Sequence, residues 1–426
     1  MTQRILSLHF DNTDSHLLAT YEREGGYRIF RKALQMQPEA VVEEVKKSGL
    51  RGRGGAGFPA GVKWGFIPKD TKRPIYLCIN ADESEPGTFK DRYIMERDPH
   101  MLLEGILITC WAIKSSDCYI YIRGEYESTR KVLQAAVDEA YEAGYLGADV
   151  TGSGWRCDVT IHKGAGAYIC GEETGLLESL EGKKGYPRIK PPFPAVVGLF
   201  QCPTIINNVE TIASVPWILE HGGDAYAAIG VGKSTGTKLF CMSGHIQRPG
   251  VYEAPLGIPF REMLHDYAGG MRRADRPLKA VIPGGSSVPV LTAAEAMEAK
   301  LDYESLAELG TMLGSAGVIV IEEGTCMVWA LATLTRFYAD ESCGQCTPCR
   351  EGTGWVNDII WRIEKGGATA DEFAMVQNLT DNMTGTTICP LADACVMPVK
   401  SFLKKFGHEF EEHLQHGGCP QTQPVG

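Results

Sequence analysis

The chain has 426 residues, 44% of them hydrophobic and 22% charged, which is ordinary for a protein with well-formed cores. That length implies roughly two to four domains, and a net charge of −11 argues against a nucleic-acid partner, whose affinity rests on neutralised phosphates. No apolar run is long enough to span a bilayer and MTQRILSLHF lacks a signal-peptide core, so a cytoplasmic protein with no direct membrane insertion is expected.

Residues 27–36 and 38–48 carry helical spacing, and Gly49 stops the second run. Residues 51–64, RGRGGAGFPAGVKW, follow. Glycines let a backbone turn sharply and approach a ligand without a Cβ in the way, and successive free N–H groups form an anion site. Arg51, Arg53 and Lys63 are expected to add positive charge, while Phe58, Trp64 and Phe66 offer flat faces for a planar ring. The combination suits a nucleotide or a flavin better than a plain surface loop.

Residues 73–81 read as an apolar strand, followed by the polar loop DESEPGTFKDR. A buried helix is expected near residues 100–115, a strand at 117–123, an amphipathic helix at 128–143 and a strand at 157–162. The loop GAGAYICGEE then leads to a helix starting near Glu172. Strands alternating with helices imply a parallel, doubly wound sheet whose ligands bind at the carboxyl ends of the strands. This is not a standard Rossmann fingerprint: the richest glycine loop precedes the first strand instead of following it, and the Gly164 loop does not fit G-x-G-x-x-G. The run Asn207-Asn208-Val209-Glu210-Thr211 suits a ring edge or a phosphate, or else a helix cap.

Short strands at residues 238–243, 250–253, 279–283 and 318–322, with a helix at 260–267, suggest a β-grasp module in a scaffolding role. The rest is helical: 327–339, 353–365 with Trp355 inward, a helix opened by the Thr369–Glu372 capping box, and 397–414, which together make a four-helix bundle. Disorder is expected from Gly417 onward.

The chain has fourteen cysteines, and in a reducing compartment clustered cysteines bind metal sooner than they form disulfides. Cys343, Cys346 and Cys349, at C-x2-C-x2-C spacing, wrap one face of a cubane cluster. Cys389, beside Pro390, is the preferred fourth ligand and Cys395 the fallback. Four-cysteine zinc sites ordinarily show two separated C-x2-C pairs, so [4Fe–4S] is favoured. Cys326 and Cys419 are read as non-ligands.

RGRGGAGFPAGVKW, NADESEPGTFKDR, GAGAYICGEETGLLESLEG, NNVET and ESCGQCTPCREG, in that order, resemble the family of flavin- and NADH-binding subunits of respiratory complex I (NADH:quinone oxidoreductase). The resemblance implies an α/β fold. A helical lead-in and glycine loop (1–60) precede a Rossmann-like FMN/NADH domain (61–230), a soluble-ligand-binding (SLBB-type) β-grasp domain (231–324), and a helical bundle with one [4Fe–4S] cluster (325–426).

It also implies site residues. Gly52, Arg53, Gly54 and Gly55 would hold FMN, with Lys63 near its phosphate. Asn80, Asp82 and Glu83 would contact the isoalloxazine and ribityl chain. Glu85 and Tyr168 would stand at the reacting rings, with Gly171 and Glu172 beside them. Glu173 would hold a ribose of NADH and disfavour NADPH. Phe58, Phe66 and Phe193 would stack on adenine, Lys190 would reach the dinucleotide, and Asn207, Asn208 and Thr211 would close on the flavin phosphate. Cys343, Cys346, Cys349 and Cys389 would hold the cluster. The plainer readings are that Glu172 and Glu173 are first-turn acids favoured by a helix N-terminus, and that Phe193 is turn packing.

The implied activity is hydride transfer from NADH to FMN, then single electrons to the cluster and along the iron–sulfur chain to quinone. Implied partners are other peripheral-arm subunits, especially the thioredoxin-like [2Fe–2S] subunit and the large iron–sulfur subunit, on the cytoplasmic side of the inner membrane. The alternative is the diaphorase subunit of an NAD-reducing hydrogenase or NAD-dependent formate dehydrogenase. Many of those carry an added thioredoxin-like front domain or ferredoxin-like tail, which this sequence lacks. A non-enzymatic iron–sulfur relay or zinc-stabilised scaffold is a third reading, and it would show no flavin absorbance.

Overall fold

Four short runs rich in β-branched and aromatic residues pair in parallel, as expected of strands covered on both faces. They are β1 (Tyr76–Ala81), β2 (Asp117–Ile122), β3 (Asp158–Lys163) and β4 (Thr204–Asn208), in the order β3-β2-β1-β4. The computed structural model describes residues 4–420. β4 was not among the expected strands. It pairs with β1 so that Asn80 faces Asn208, and both strands end at the same edge.

α1 (Pro38–Lys47) and α2 (Ala60–Trp64) flank the glycine loop. α3 (Asp91–Arg97), α4 (Pro99–Ile113), α5 (Glu127–Glu142), α6 (Glu173–Leu180) and α7 (Val209–Ala213) accompany the sheet. α4 is apolar nearly all round and therefore buried nearly all round. Its one interior acid, Glu104, accepts backbone N–H bonds from Tyr27 at 3.0 Å and Phe30 at 2.9 Å. A buried carboxylate thus ties the lead-in to the sheet, and the two share one hydrophobic core. Tyr141, expected on the inner face of α5, is exposed and donates to Asp158.

The second sheet has β5 (Thr237–Gly244), β6 (Gly250–Pro255), β7 (Leu278–Ile282), β8 (Leu291–Thr292) and β9 (Gly317–Glu322), in the order β8-β7-β9-β5-β6. β9 runs parallel to β5, and the other neighbours are antiparallel. This is the expected β-grasp module with one added short strand. The helix expected at 260–267 is one α-turn continued by a π-turn.

α8 (Met327–Glu341), α9 (Thr347–Lys365), α10 (Ala370–Met383) and α11 (Leu391–His416) form the bundle. The Thr369–Glu372 capping box is present. α9 starts earlier than expected, on Cys346 as N-cap, and α11 starts directly after Cys389-Pro390. Trp355 corrects the expected inner face of α9: it is 56% exposed, while Ile359, Ile360 and Ile363 are buried. The expected disorder from Gly417 is also corrected within the described residues. The Gly418 N–H donates to the His413 carbonyl at 2.9 Å and the Cys419 N–H to the Glu364 carbonyl at 3.1 Å. The rest of that tail lies outside the described residues.

Candidate functional site

The carboxyl ends of β1 and β4 put Asn80, Asp82, Asn207 and Asn208 along one edge. The glycine loop lies across that edge. It is closed at its base by Gly52 N–H donating to the Phe58 carbonyl at 2.8 Å and Ala60 N–H to the Leu50 carbonyl at 2.9 Å. Gly54 is exposed and sits over Asn208, where a Cβ on Gly54 would come within 3.1 Å of the Asn208 Cβ. Gly55 has φ +131°, a conformation that glycine adopts without strain. Thr211 accepts the Arg53 backbone N–H at 2.8 Å. Asn208 caps α7 by accepting from the Glu210 N–H at 3.1 Å, so the capping reading of that asparagine is realised.

Two expectations about the loop are corrected. The Arg51 and Arg53 side chains do not charge the cradle: Arg51 pairs with Glu304 at 2.6 Å over the Tyr303 ring. The Arg53 guanidinium is wholly buried and donates to the Tyr226 hydroxyl at 3.0 Å and the Thr235 carbonyl at 2.7 Å. Trp64 is not a free stacking face, because its indole is buried and donates to Asn207 Oδ1 at 2.9 Å.

Asp82 is buried, and its Oδ2 has no hydrogen-bond partner among the described residues. Burial pushes the carboxyl up to about 7. A Cβ on Gly171 would lie 3.3 Å from that same oxygen, so the glycine leaves the space beside it open. An orphaned acceptor beside bare backbone fits a ligand with donor groups, such as a flavin ring or its ribityl hydroxyls. Asn80 holds the pair together, donating to the Gly171 carbonyl at 2.7 Å and accepting the Asp82 N–H at 3.1 Å. The Glu83 carboxylate accepts the N–H groups of Asp91 at 2.7 Å and Arg92 at 3.1 Å, at the start of α3.

Glu85 accepts from the Tyr168 hydroxyl at 2.6 Å and from the Ser287 N–H at 2.8 Å. The Tyr168 N–H donates to Glu341 at 2.9 Å, so the sheet domain, the β-grasp module and the bundle meet at this pair.

Glu172 is the N-cap of α6 and accepts from the Thr174 N–H at 2.8 Å and the Gly175 N–H at 3.0 Å. Its other oxygen meets Lys190 at 2.9 Å. Glu173 takes Lys63 at 2.9 Å and Lys190 at 3.2 Å. Burial opposes its ionisation, but the two lysines outweigh that and hold it below the usual range. Phe58, Phe66 and Phe193 are 47%, 53% and 58% exposed, an apolar surface that a ring can cover. The Phe58 and Phe66 centroids are 5.9 Å apart.

Beneath the cradle lies a charge network that the sequence did not announce. Glu210 is fully buried against Lys238 at 2.5 Å and Lys90 at 2.9 Å. Burial alone would raise its carboxyl, but Lys238, Lys90 and Arg53 depress it to about 2. Lys90 also contacts Asp91 and Asn208, and Asn208 donates to Asp91 at 2.6 Å. The only advance signal is a lone lysine, Lys238, opening an apolar strand.

Cys343 and Cys346 precede α9 and Cys349 lies in its first turn. The Ile388 N–H donates to the Cys346 sulfur at 3.4 Å, which brings the Cys389 turn against the triplet. The Cys389 thiol is pushed up to about 11, first by burial and also by Glu172, Cys343 and Cys349 beside it. Cys343, Cys346 and Cys389, each partly exposed, pack against the core that holds the buried Cys349, and four thiols are a donor set that fits a cubane cluster. Cys395 is wholly buried inside α11. The turn 168–171 faces both sites: Gly171 borders Asp82, while the Cys170 thiol, raised mainly by burial, also feels Asp82 and Cys343.

Among the described residues no helix is long and apolar enough to cross a membrane. Three family models match the chain: a Nuo51 FMN-binding domain over residues 45–217, an SLBB domain over 238–320, and an NADH-ubiquinone oxidoreductase-F iron-sulfur binding region over 329–413. Two NADH-quinone oxidoreductase F subunits are each 51% identical to it. The one numbered 2 in Rhizobium meliloti matches over 421 residues, covering 99% of this chain and all of that one. That of Streptomyces coelicolor matches over 98% of this chain and 92% of its own. A crystal structure of an NAD+-reducing [NiFe]-hydrogenase superposes with a TM-score of 0.86 at 33% identity, over 97% of this chain and 67% of that one.

Proposed function

The chain belongs to the family of NADH-quinone oxidoreductase F subunits, and from that premise we propose which of its residues carry each part of the reaction. It is the NADH-oxidising flavoprotein subunit of that oxidoreductase, with FMN and [4Fe–4S] cofactors. When bound, FMN accepts two electrons as a hydride and returns them singly, as a one-electron cluster requires.

The chain's own work is holding and positioning. Gly54 and Gly55 bring bare backbone over the β4 edge; Thr211 fixes that loop at the Arg53 N–H, Asn207 holds Trp64 behind it, and Asn208 lies beneath Gly54. Asp82 offers its unpaired oxygen to a donor of the flavin. Glu85 and Tyr168 brace each other where the nicotinamide docks, with no nucleophile required. Glu173, set between Lys63 and Lys190, takes a ribose hydroxyl and repels a 2′-phosphate. Cys343, Cys346, Cys349 and Cys389 are the cluster ligands, and the exposed phenylalanines receive the adenine.

The observation that supports this reading is the turn 168–171: Gly171 borders Asp82, while Ile169 and Cys170 share a core with Cys349, against which Cys343, Cys346 and Cys389 pack. Both cofactors then share one thin wall, as electron transfer between them requires. We extend the reading to partners: the thioredoxin-like [2Fe–2S] subunit and the large iron–sulfur subunit would dock beside the partly exposed Cys343 and Cys346, on the cytoplasmic side of the membrane. Anaerobic addition of NADH tests the core of it. The flavin band should bleach and a reduced-cluster paramagnetic signal should appear together; bleaching without the signal would separate the two sites.

A further inference from the structure

Far from Cys343–Cys349, at the opposite end of the bundle, four side chains converge that the mechanism does not use. Cys326 is the N-cap of α8, Glu364 lies in the last turn of α9, His413 in the last turn of α11, and Cys419 in the tail beyond it. α8 runs between the two ends, about 22 Å at its 15 residues. One ligand atom from each of the four lies within 4.8 Å of all the others. His413 Nε2 is 3.2 Å from Glu364 and 3.3 Å from the Cys326 sulfur. Cys326, Glu364 and His413 are buried, and Cys419 is partly so.

We propose that Cys326, Glu364, His413 and Cys419 form a structural site for one zinc-type divalent ion. The donor set is two sulfurs, an imidazole nitrogen and a carboxylate oxygen, which suits zinc and excludes hard cations such as calcium or magnesium. The surroundings orient the donors for a metal. His413 Nδ1 lies 2.6 Å from the Glu409 carbonyl, which places its proton there and leaves Nε2 as a lone pair facing the sulfurs. The Trp329 N–H donates to the Cys326 sulfur at 3.3 Å, at the positive end of a helix; burial and Glu364 otherwise push that thiol up, so it is a bound cation that would hold the thiolate. The Glu409 side chain separately ties α11 to the start of α8, accepting the Met327 N–H at 2.9 Å and pairing with Lys279 at 2.6 Å.

The backbone also brings the tail in. The Cys419 N–H bonds the Glu364 carbonyl, and Gly366 has no Cβ because the Gly417 carbonyl passes 1.9 Å from where one would stand. A bland ion pair between His413 and Glu364 would explain two of these residues. It would not explain why two cysteines from opposite ends of the bundle sequence point at it. Binding releases the protons of both thiols and joins the start of α8 to the ends of α9 and α11.

The test is metal analysis of the cluster-loaded chain, reading zinc and iron on the same sample after dialysis against a weak chelator. One zinc per chain is expected. Cys419→Ser and His413→Gln should each remove it while leaving iron and NADH oxidation unchanged. X-ray absorption at the zinc edge of the unmodified protein should show sulfur at about 2.3 Å and nitrogen at about 2.0 Å, which keeps the test alive should a variant fail to fold. Substoichiometric zinc that the variants do not change would overturn the proposal. So would a Cys326–Cys419 disulfide found by mass spectrometry in the purified protein.

Discussion

The Lys63 ammonium lies 2.9 Å from the Glu173 carboxylate, and the same lysine donates to the Ile206 carbonyl at 2.9 Å. One side chain thus joins the helix after the glycine loop, the β4 backbone and the N-terminus of α6. With Lys190 on its other oxygen, Glu173 is an acid held between two cations. A ribose hydroxyl can share that acid, whereas a phosphate brought to the same place would meet its charge.

Cofactor choice follows from that arrangement. Glu173→Gln removes the repulsion and frees two lysines for a 2′-phosphate. The ratio of kcat/KM for NADPH over NADH should rise roughly fivefold to 150-fold, on the order of 1–3 kcal/mol. An unchanged ratio would take Glu173 out of the ribose site.

The cluster makes a second prediction. Cys346→Ser and Cys389→Ser should each abolish the [4Fe–4S] paramagnetic signal while leaving reduction of the flavin by NADH intact. Cys395→Ser should keep the signal, because that thiol is enclosed within α11. A signal surviving in Cys389→Ser and lost in Cys395→Ser would exchange the two assignments.

A third prediction concerns pH. Asp82 has a folded-state value near 7 against an ordinary 3.8, because burial disfavours its charge. The folded chain therefore holds more protons than the unfolded one between those values, and its stability falls as pH rises through that window. In flavin-depleted protein, Asp82→Asn should raise Tm more at pH 8 than at pH 4. Flavin-loaded protein should lose that benefit, since the ligand's donor is what the charged oxygen lacks. The same gain at both pH values would remove Asp82 as the source.

Much of this was legible in the sequence. Periodic apolar spacing placed α4, α5 and α8 to within two residues, whereas α9 and α11 begin six residues earlier than the spacing suggested and the short α3 and α7 were missed; the cysteine spacing marked the α8–α9 junction. β4 was hidden because TIINN is short, follows a proline-rich stretch and ends in two asparagines that read as a cap. Trp355 sits at the edge of the apolar stripe of α9, where bulk suggested burial and geometry allows exposure. The charge network was marked only by Lys238 at the start of an apolar strand, and its pairing could not be read. Lys90, Glu210 and Lys238 are far apart in the chain, and a lone charge in a sequence looks like a solvated one. Glu172 was legible only as two alternatives, and it serves as a cap while still reaching Lys190.

That network carries its own prediction. Glu210→Gln would leave Lys90 and Lys238 buried without their shared anion and should cost about 3–5 kcal/mol of stability by denaturant titration. The Glu210 carboxyl is depressed to about 2 from 4.5, so its contribution is complete above the higher value and is lost as pH falls toward the lower. The variant's acid limb should be correspondingly flatter. A loss under about 1 kcal/mol, the worth of an exposed pair, would mean that water reaches this site.

If the glycine loop over Asn208 is the flavin cradle, Gly54→Val should leave it empty. A Cβ at that position already comes within 3.1 Å of Asn208, and the added methyl groups fill the space a ligand would need. Gly54 is exposed and its φ lies outside the left-handed region, so the change should spare the fold. The measurement is flavin and iron per chain in the purified variant, with NADH:ferricyanide activity alongside. The expected result is a soluble protein with full iron, no flavin and no activity. Stoichiometric flavin with normal activity would contradict it and move the cradle to the Gly164–Glu173 segment.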